Sequence, residues 1–505
     1  MFFGSRSSPL RLRANVLAGT AIVAASIMGF TAGAHANLLI LAKPTRNVTC
    51  ANGACKATSR SAVLNVTQLQ SLLASSDVTV EASTAGFDST VVETAVTWVS
   101  AHTLTLQGYS VVIDQPVSVE GSGGLTFATQ EITTAGGISF GPKGHVTFWS
   151  TSSNLTIAGK PYVLVNSIAS LASAVAANPS GHYALANSYD ASTDGTYRSA
   201  PVAGASLEGL GNSISNLSID DPVAGDEVGL FGETSNTSDL RLNKIDVRGA
   251  DDSQVGGLAG IVLGTLLHDS VDGTISTHRN TGAGGLGAVA GGLAGVSYGI
   301  IENSYSTGKV AGGKNSIIGG AVGEISRQGQ GSGISQVYST AMVALDSGEC
   351  RGCSTGAPQN SAGGLVGAND GRVLNSYATG TVTGGSSANL GGLVGTNVKG
   401  PDSYNQVMLS YSSGAVTGGP GSSIGGSLGF DLSPGDSTDM YWDTTTSGIS
   451  NSSQGAGNVA NDSGIEGLTT TQLQSGLPAG FNSQIWAESA NVNGGLPYLL
   501  DVPVK

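Results

Sequence analysis

The stretch Ala362 to Gly385, AGGLVGANDGRVLNSYATGTVTGG, recurs in edited form along the middle of the chain. Ala290 to Gly313 reads AGGLAGVSYGIIENSYSTGKVAGG, and Leu390 to Gly419 opens with LGGLVGTN and closes with LSYSSGAVTGG. Poorer copies begin at Val255, Ile318 and Ile424, and 228–232 (VGLFG) reads as the first of the set. Self-similarity at a period of some tens of residues is typical of a solenoid or a propeller.

Each repeat alternates short apolar runs with Gly, Asn, Ser and Thr, as in VLNSYATGTV (373–382). The period is two rather than 3.6, and frequent glycine opposes a helix, so the repeats predict strands with sharp corners. Aligned copies share three columns: Tyr305, Tyr338, Tyr377, Tyr411 and Tyr441; Val310, Val343, Val382 and Val416; and Asn303, Gln336, Asn375, Leu409 and Asp439.

These columns predict a parallel β-solenoid, in which equivalent residues of successive coils stack about 4.8 Å apart. Leu and Val columns then fill the interior, and glycine columns turn the corners. Insertions such as 347–360 bulge from one corner without disturbing the stack.

The repeat resembles the GLUG motif family. The residues that carry the resemblance are Gly257, Leu258 and Gly260; Gly292, Leu293 and Gly295; Gly364, Leu365 and Gly367; Gly392, Leu393 and Gly395; and the tyrosines Tyr305, Tyr377 and Tyr411. The resemblance implies a secreted or surface-exposed bacterial protein of adhesin-like type. The motif has no known catalytic residue, so it implies architecture and location rather than chemistry.

The composition favours an extracellular β-rich protein over a cytosolic enzyme. The formal charge is −14, only 11% of residues are charged, and glycine numbers 77. An acidic chain without a basic stripe argues against nucleic-acid binding.

Residues 1–36 read as a Sec-type signal peptide. Arg6, Arg11 and Arg13 precede an apolar run from Val16 to Phe30, and Ala34-His35-Ala36 fits the cleavage pattern. A membrane anchor is the alternative, but the run is short for one. No second long apolar segment follows, so we expect no transmembrane segment after signal removal.

The cysteines form two close pairs, Cys50 with Cys55 and Cys350 with Cys353. In an exported chain both pairs can oxidise locally, which predicts two loop disulfides. The CxxC spacing of the second pair also permits a redox or a zinc site, although no further ligand cluster supports zinc.

Outside the repeats, the chain resembles filamentous-haemagglutinin-like adhesins, in which such segments form a right-handed parallel β-helix. A helix at 66–75, with Leu69, Leu72 and Leu73 on one face, precedes Trp98 and a run with period-two alternation (94–129). No Asn-Pro-Asn secretion motif is found near the start of the chain, which leaves the export route and an outer-membrane export partner open.

Two further segments flank the repeats. Asn166 or Ser167 can cap a helix that ends near Ala177, and Thr470 can cap a short helix ending at Gly476. We expect a lid over the open end of the core from the aromatic and apolar residues of the C-terminal segment, namely Trp442, Trp486, Pro497, Tyr498 and Leu499. A carbohydrate platform is the alternative for this cluster.

Candidate chemistry rests on acidic residues, because β-helix hydrolases and lyases need clustered carboxylates. The candidates are Asp220/Asp221, Asp226/Glu227, Asp251/Asp252 and Asp269/Asp272. Their simplest interpretation is a set of solvated turns. The sharper hypothesis stacks Asp251 or Asp252 against Asp269 or Asp272, with Arg248 or His268 beside them.

We therefore predict an all-β, right-handed parallel β-helix with short flanking helices and a C-terminal cap. The expected division is a signal peptide (1–36), a haemagglutinin-like region (37–160), a connecting segment (161–227), the GLUG-repeat solenoid (228–430) and a capping segment (431–505). The predicted function is adhesion to a host or bacterial surface glycan or protein, extracellular or at the cell surface, with the periplasm as an alternative location. We expect no catalytic residue, cofactor or metal. A polysaccharide-active enzyme and a structural envelope or matrix protein are the alternatives.

Overall fold

Strands dominate this chain because its apolar residues alternate and its glycines interrupt every helical run. A computed structural model describes residues 37–59, 61–82, 88–130, 137–278, 287–327, 331–346, 360–398 and 406–505. These residues form 51 strands and three α-helices, which confirms the all-β class. The predicted signal peptide and the pair Cys350/Cys353 lie outside the described residues.

The N-terminal coils bury every second side chain, as the alternation predicts. Leu104, Leu106, Val117, Val119 and Phe127 are fully buried. One sheet contains Leu38–Leu41, Ala62–Asn65, Thr90–Val92, Val111–Ile113 and Ile138–Phe140. A second contains Val96–Trp98, Val117–Val119 and Val146–Phe148. A third ladder contains Val48–Ala51, Ala54–Ala57, Val78–Glu81, Thr103–Gly108, Gly124–Thr129 and Leu155–Ile157.

Apart from the pairing of Val48–Ala51 with Ala54–Ala57, these ladders are parallel and in register from one coil to the next. Val117 pairs with Val96 on one side and Val146 on the other, and Leu125 pairs with Leu104 and Leu155. Equivalent apolar residues therefore stack in columns through the interior.

The first described residues close the start of the stack. The strands Val48–Ala51 and Ala54–Ala57 form an antiparallel hairpin that the predicted Cys50–Cys55 disulfide links. Helix α1 (Val66–Leu73) follows, and the Asn65 side chain accepts a hydrogen bond from the Gln68 N–H. The helix buries Leu69 and Leu73 as predicted, whereas Leu72 is only half-buried.

The connecting segment carries the predicted helix and continues the stack. Helix α2 (Ile168–Ala177) begins at Ser167, which forms a capping box with Ser170. The Phe148 N–H donates to the Ala186 carbonyl at 2.8 Å, and the Val146 N–H donates to the Leu210 carbonyl at 2.9 Å. The strands here are Lys160–Val165, His182–Leu185, Tyr189–Asp190, Thr196–Tyr197, Val202–Glu208, Ser213–Ser215 and Ser218–Asp220, with a 3-10 turn at Ala191–Thr193.

In the repeat region one seven-stranded parallel sheet carries the Gly-Gly pairs. We call it the glycine ladder: Glu227–Val228, Gln254–Gly256, Val289–Gly291, Ile317–Gly319, Ser361–Gly363, Asn389–Gly391 and Ser423–Gly425. Gly256, Gly291, Gly319, Gly363, Gly391 and Gly425 are in register. The early segment at 228–232 belongs to the set, because Val228 pairs with Val255.

Further parallel ladders complete each coil. After the glycine ladder come Phe231–Ser238, Ala259–Leu267, Ala294–Ser297, Val322–Ile325, Val366–Asn369, Val394–Asn397 and Leu428–Asp431. Next come Ile300–Glu302, Gly333–Ser335, Arg372–Leu374, Val407–Ser412 and Thr438–Asp443. The coil returns through Arg241–Gly249, Ser270–Thr277, Tyr305–Gly312, Tyr338–Ser339, Met342–Leu345, Tyr377–Ala378, Val382–Gly384 and Val416–Thr417.

The predicted columns are confirmed residue by residue. The five tyrosines pair in register from Tyr305 to Tyr441, and so do the four valines from Val310 to Val416. Leu258, Leu293, Leu365 and Leu393 are fully buried in the interior.

The C-terminal segment differs from the predicted lid. Trp442 does fill the core of the last coils: it is fully buried, and a Cβ added at Gly426 would lie 2.4 Å from its ring. Trp486 and Leu499, however, lie on the flank of the stack, in one apolar cluster with the tyrosine column. The last strands are Ile465–Leu468, Trp486–Ala487 and Tyr498–Leu499.

We call residues 470–505 the tail, and it runs back along the coils over the tyrosines. Tyr441 donates to the Ala479 carbonyl at 3.0 Å, Tyr411 to the Pro497 carbonyl at 2.7 Å, and Tyr338 to the Pro503 carbonyl at 2.6 Å. Helix α3 (Thr470–Leu473) is capped by Thr469, one residue before the predicted Thr470, and a 3-10 turn spans Asn493–Gly495. None of the described helices is long and apolar enough to span a membrane.

Candidate functional site

A column of left-handed residues marks one corner of the repeat coils. Its members share a positive φ between 46° and 57°: Asp239, His268, Asn303, Gln336, Asn375, Leu409 and Asp439. Asn, Asp and His tolerate this conformation better than most residues, because their short polar side chains can bond locally. The column therefore collects polar side chains on one line along the stack.

The first three members of this column contact one another. Nδ1 of His268 lies 3.4 Å from Oδ1 of Asp239, and Nδ2 of Asn303 lies 3.3 Å from Nε2 of His268. Asn303 donates to Nε2, so Nδ1 carries the ring proton in the neutral tautomer. A carboxylate, an imidazole and an amide thus form a polar run over three coils.

Two buried carboxyl groups lie behind this run. Glu208 accepts from the Leu210 N–H at 2.8 Å and from the Ser238 hydroxyl at 2.7 Å. Asp269 accepts from the Leu240 N–H at 3.0 Å.

The Asp269 side chain accepts the same kind of backbone hydrogen bond that serine side chains accept in later coils. Ser304 accepts from the Asp269 N–H, Ser376 from the Val337 N–H, and Ser410 from the Ser376 N–H. In each case a side-chain oxygen satisfies a backbone N–H one coil earlier. This position is therefore structural, and Asp269 fits it by the same hydrogen bond.

Burial is the main cause of the raised pKa values of the three carboxyl groups Glu208, Asp239 and Asp269. Desolvation raises the pKa of Glu208 and of Asp269 well above the ordinary carboxyl range, and the nearby Asp239 charge adds to both shifts. Burial also raises the pKa of Asp239, against the opposing effect of His268. For His268, burial lowers the pKa, but the contact with Asp239 outweighs it and leaves the pKa above the ordinary value.

Asp239, His268 and Asn303 open onto a cavity of about 500 Å³, which we call the flank groove. Phe140, Gly141 and Pro142 of the N-terminal coils form one wall, and Leu500, Asp501 and Pro503 of the tail form another. Arg241 links the repeat coils to the N-terminal wall of the groove, because its Nη2 donates to the Gly141 carbonyl at 3.1 Å. The groove lies where three parts of the chain meet.

The structure does not bring together the acids that the sequence hypothesis paired. Asp272 lies opposite Asn243 of the preceding coil, and Asp251 and Asp252 lie in the turn beyond Gly249. Asp272 instead accepts a hydrogen bond from Thr307 at 2.6 Å. The simple interpretation as turn acids fits these residues.

The candidate acids Asp220 and Asp221 also have local partners. Arg198 contacts Asp220 at 2.7 Å, and His278 lies 3.3 Å from the same carboxylate. Asp221 accepts from the Val223 N–H at 2.9 Å. Among the described residues, no group of three or more His, Cys, Asp and Glu side chains could hold a metal ion.

Sequence reasoning named His268, which lines the groove, and Asp269, which lies buried behind it in a structural position. Asp239, Glu208 and the placement of Asn303 at the groove were not predicted. The signal was present, because extending the Asn303 column back by one and two coils reaches His268 and Asp239.

Comparisons with known proteins agree with the repeat. A family model described as the GLUG motif matches residues 359–383, which cover the best copy and its Gly-Leu-Val-Gly core. No curated protein matches the chain. This match extends over one repeat and supports the resemblance found from the sequence.

Proposed function

We propose that the chain is an extracellular, adhesin-like protein built as a right-handed parallel β-helix. The observation that carries this proposal is the parallel register of the ladders within the N-terminal coils and, in the repeats, from Gln254–Gly256 to Ser423–Gly425. Such a stack is a rigid support whose side-chain columns are fixed while its corner segments vary in length.

The corner segments are the candidate contact surfaces. At one corner fifteen residues separate Leu345 from Ser361, where four separate Gly384 from Asn389; at another, nine separate Asn397 from Val407, where two separate Asn369 from Arg372. The two longer segments lie largely outside the described residues. Variation in length at fixed corners is typical of solenoids that bind through their loops.

The proposed location is outside the cell or at its surface. The predicted signal peptide and the GLUG motif match support export. The resemblance to filamentous-haemagglutinin-like adhesins is part of the proposal, and so is the five-part division of the chain given above. The ligand class is a surface glycan or protein.

A polysaccharide-active enzyme is the second candidate, and one observation favours it. Asp239 and His268 line the flank groove together, and both have a raised pKa. A carboxyl group and an imidazole in contact at a groove are a pair of the kind that can transfer protons to and from a substrate. Against this, Glu208 and Asp269 are occupied with backbone N–H groups.

One experiment separates the two functions. The exported chain is incubated with immobilised polysaccharides and glycoproteins, and both retention and new chain ends are measured. Retention without new ends is the expected result. New ends that are lost in Asp239→Asn and His268→Gln would replace adhesion by hydrolysis or elimination, and absence of both would leave a structural envelope role.

A further inference from the structure

Two buried side-chain oxygens without a hydrogen-bond partner among the described residues belong to residues that line the flank groove. They are Oδ2 of Asp239 and Oδ1 of Asn303, whereas Nδ1 of His268 between them faces Oδ1 of Asp239 at 3.4 Å. Asp239 is only 4% exposed. An unsatisfied buried polar group costs on the order of 1–3 kcal/mol, so two such oxygens at one cavity indicate a ligand.

The chemistry of these atoms defines what the ligand must offer. Asp239 and Asn303 present acceptors, whereas the guanidinium of Arg241, which lines the same groove, has five N–H donors and directs its contacts with Gly141 and Pro142 from only two of its nitrogens. A ligand that fits must therefore both donate and accept hydrogen bonds. Hydroxyl groups do both, whereas an ammonium group only donates.

The charged and aromatic residues that line the groove restrict the class of ligand further. Asp114, Asp239 and Asp501 face the groove against Arg241 and His268, which disfavours an anionic ligand. Phe140 and Tyr305 add aromatic surface. A volume of about 500 Å³ falls in the range of ordinary small-molecule sites.

We propose that the flank groove binds a neutral oligosaccharide laid along the axis of the stack. The column residues repeat at the coil spacing of about 4.8 Å, so hydroxyls of an extended sugar chain reach the open oxygens of Asp239 and Asn303, which are two coils apart. The sugar ring faces pack on Phe140 and Tyr305. This inference deepens the proposed binding function and names a site for it, yet the chain could adhere through its corners without it.

The corner column supplies a matched pair of variants. Leu409 already occupies this column with a φ of 52°, so Asn303→Leu and Gln336→Leu place a residue that the fold itself uses there. Asn303 lines the groove, and Gln336 sits one coil further along, outside its lining. Both variants carry the same backbone strain, and Asn303→Leu differs in removing an amide that lines the groove and bonds His268.

The test is a glycan array of neutral and acidic oligosaccharides, followed by calorimetric titration of the best neutral probe. We expect a neutral probe to bind, with its Kd raised at least tenfold by Asn303→Leu and by Asp239→Asn, and changed less than twofold by Gln336→Leu. Thermal melting of each variant checks folding. A retained Kd in Asn303→Leu, a preference for acidic probes, or no neutral binder on the array would overturn the inference.

The same variants separate this inference from the proposed function. Retention of Asn303→Leu on a surface that holds the wild type would show adhesion without the groove, and the groove site would then be wrong while adhesion stands. Oligosaccharide binding without retention on any surface would leave the groove site intact and remove the adhesin function.

Discussion

The N-terminal coils and the repeat coils reach the same parallel stack with different side chains. In the first, the in-register columns are apolar, such as Val96, Val117 and Val146. In the second, a glycine occupies one column in every coil, and a Cβ added at Gly364 would lie 2.2 Å from the Gly392 carbonyl oxygen. The comparison teaches that backbone pairing needs no repeat motif. The motif instead specifies a corner at which the backbones of neighbouring coils approach closely.

The two regions also differ on their outer flank. The repeats stack the rings of Tyr305, Tyr338, Tyr377 and Tyr411 with centroids 4.9 to 5.2 Å apart, beneath the tail. In the N-terminal coils Trp149 is 68% exposed. Repeated tyrosine is thus explained by a contact between coils and tail rather than by the interior.

The largest effect on stability should come from a charged residue introduced into either interior, because both interiors are apolar. Val382→Asp in the repeats and Val119→Asp in the N-terminal coils, both fully buried, should each lower the free energy of unfolding by more than about 4 kcal/mol. Leu365→Asp should do the same. Chemical denaturation measures this, with exposed Thr383→Asp as the control. Wild-type stability in any buried variant would refute the assignment of inward columns.

Next in size is a methyl group at the close corner. Gly364→Ala should cost about 2–3 kcal/mol, because backbone of the next coil stands where the Cβ must go. At Gly232, which is also buried, the nearest atom would lie 3.4 Å away, so Gly232→Ala should change stability by less than about 1 kcal/mol. Equal melting temperatures of Gly364→Ala and Gly232→Ala would show that the close approach of backbones at Gly364 does not require glycine.

A smaller effect sharpens the account of the tyrosine flank. Tyr411 donates to the Pro497 carbonyl at 2.7 Å and accepts from Asn493 at 2.8 Å, whereas the Tyr377 hydroxyl has no partner among the described residues. Tyr411→Phe should therefore cost about 1–2 kcal/mol, and Tyr377→Phe should be neutral or stabilising. The order of the two melting temperatures tests this, and a reversed order would contradict the tail contacts.

The smallest effect concerns pH at the end of the repeats. Burial, together with Asp431, raises the pKa of Asp462 to about 6 from 3.8. The folded state then holds the proton more tightly, so the stabilisation is full below about pH 4 and is lost as pH rises through 6. Asp462→Asn should remove about 1 kcal/mol of this pH dependence, measured by melting between pH 4 and 7. An Asp462→Asn variant with the same slope of stability against pH as the wild type and the exposed control Glu93→Gln would contradict this prediction.

The sequence predicted the coils well because the information is local. Residue spacing fixes register, so the sequence alone aligns Tyr305, Val310 and the Gly-Gly pairs correctly. Apolar spacing indicates the helix at 66–73, and capping together with apolar spacing indicates the helix at 168–177. The right-handed β-helix and export are proposals.

The tail and the site were harder because their contacts are distant in sequence. Tyr338 meets Pro503 across 165 residues, and no periodicity encodes that approach. Asp239 and His268 were missed in their shared role because their coils lack the Asn-Ser-Tyr letters that define the column. Adjacent acids such as Asp251 and Asp252 drew attention by sequence alone, although a turn explains them.

The contact between the tyrosine stack and Trp486 also gives the unlabelled protein an intrinsic fluorescence signal. The Trp486 ring lies 6.0 Å from Tyr377 and 6.1 Å from Tyr411, close enough for excitation absorbed by the tyrosines to pass to the indole. Light absorbed anywhere along the stacked rings should therefore emerge as tryptophan fluorescence while the tail is docked. Release of the tail would restore tyrosine emission, so a spectrum of the unlabelled protein reports the position of its last thirty-six residues.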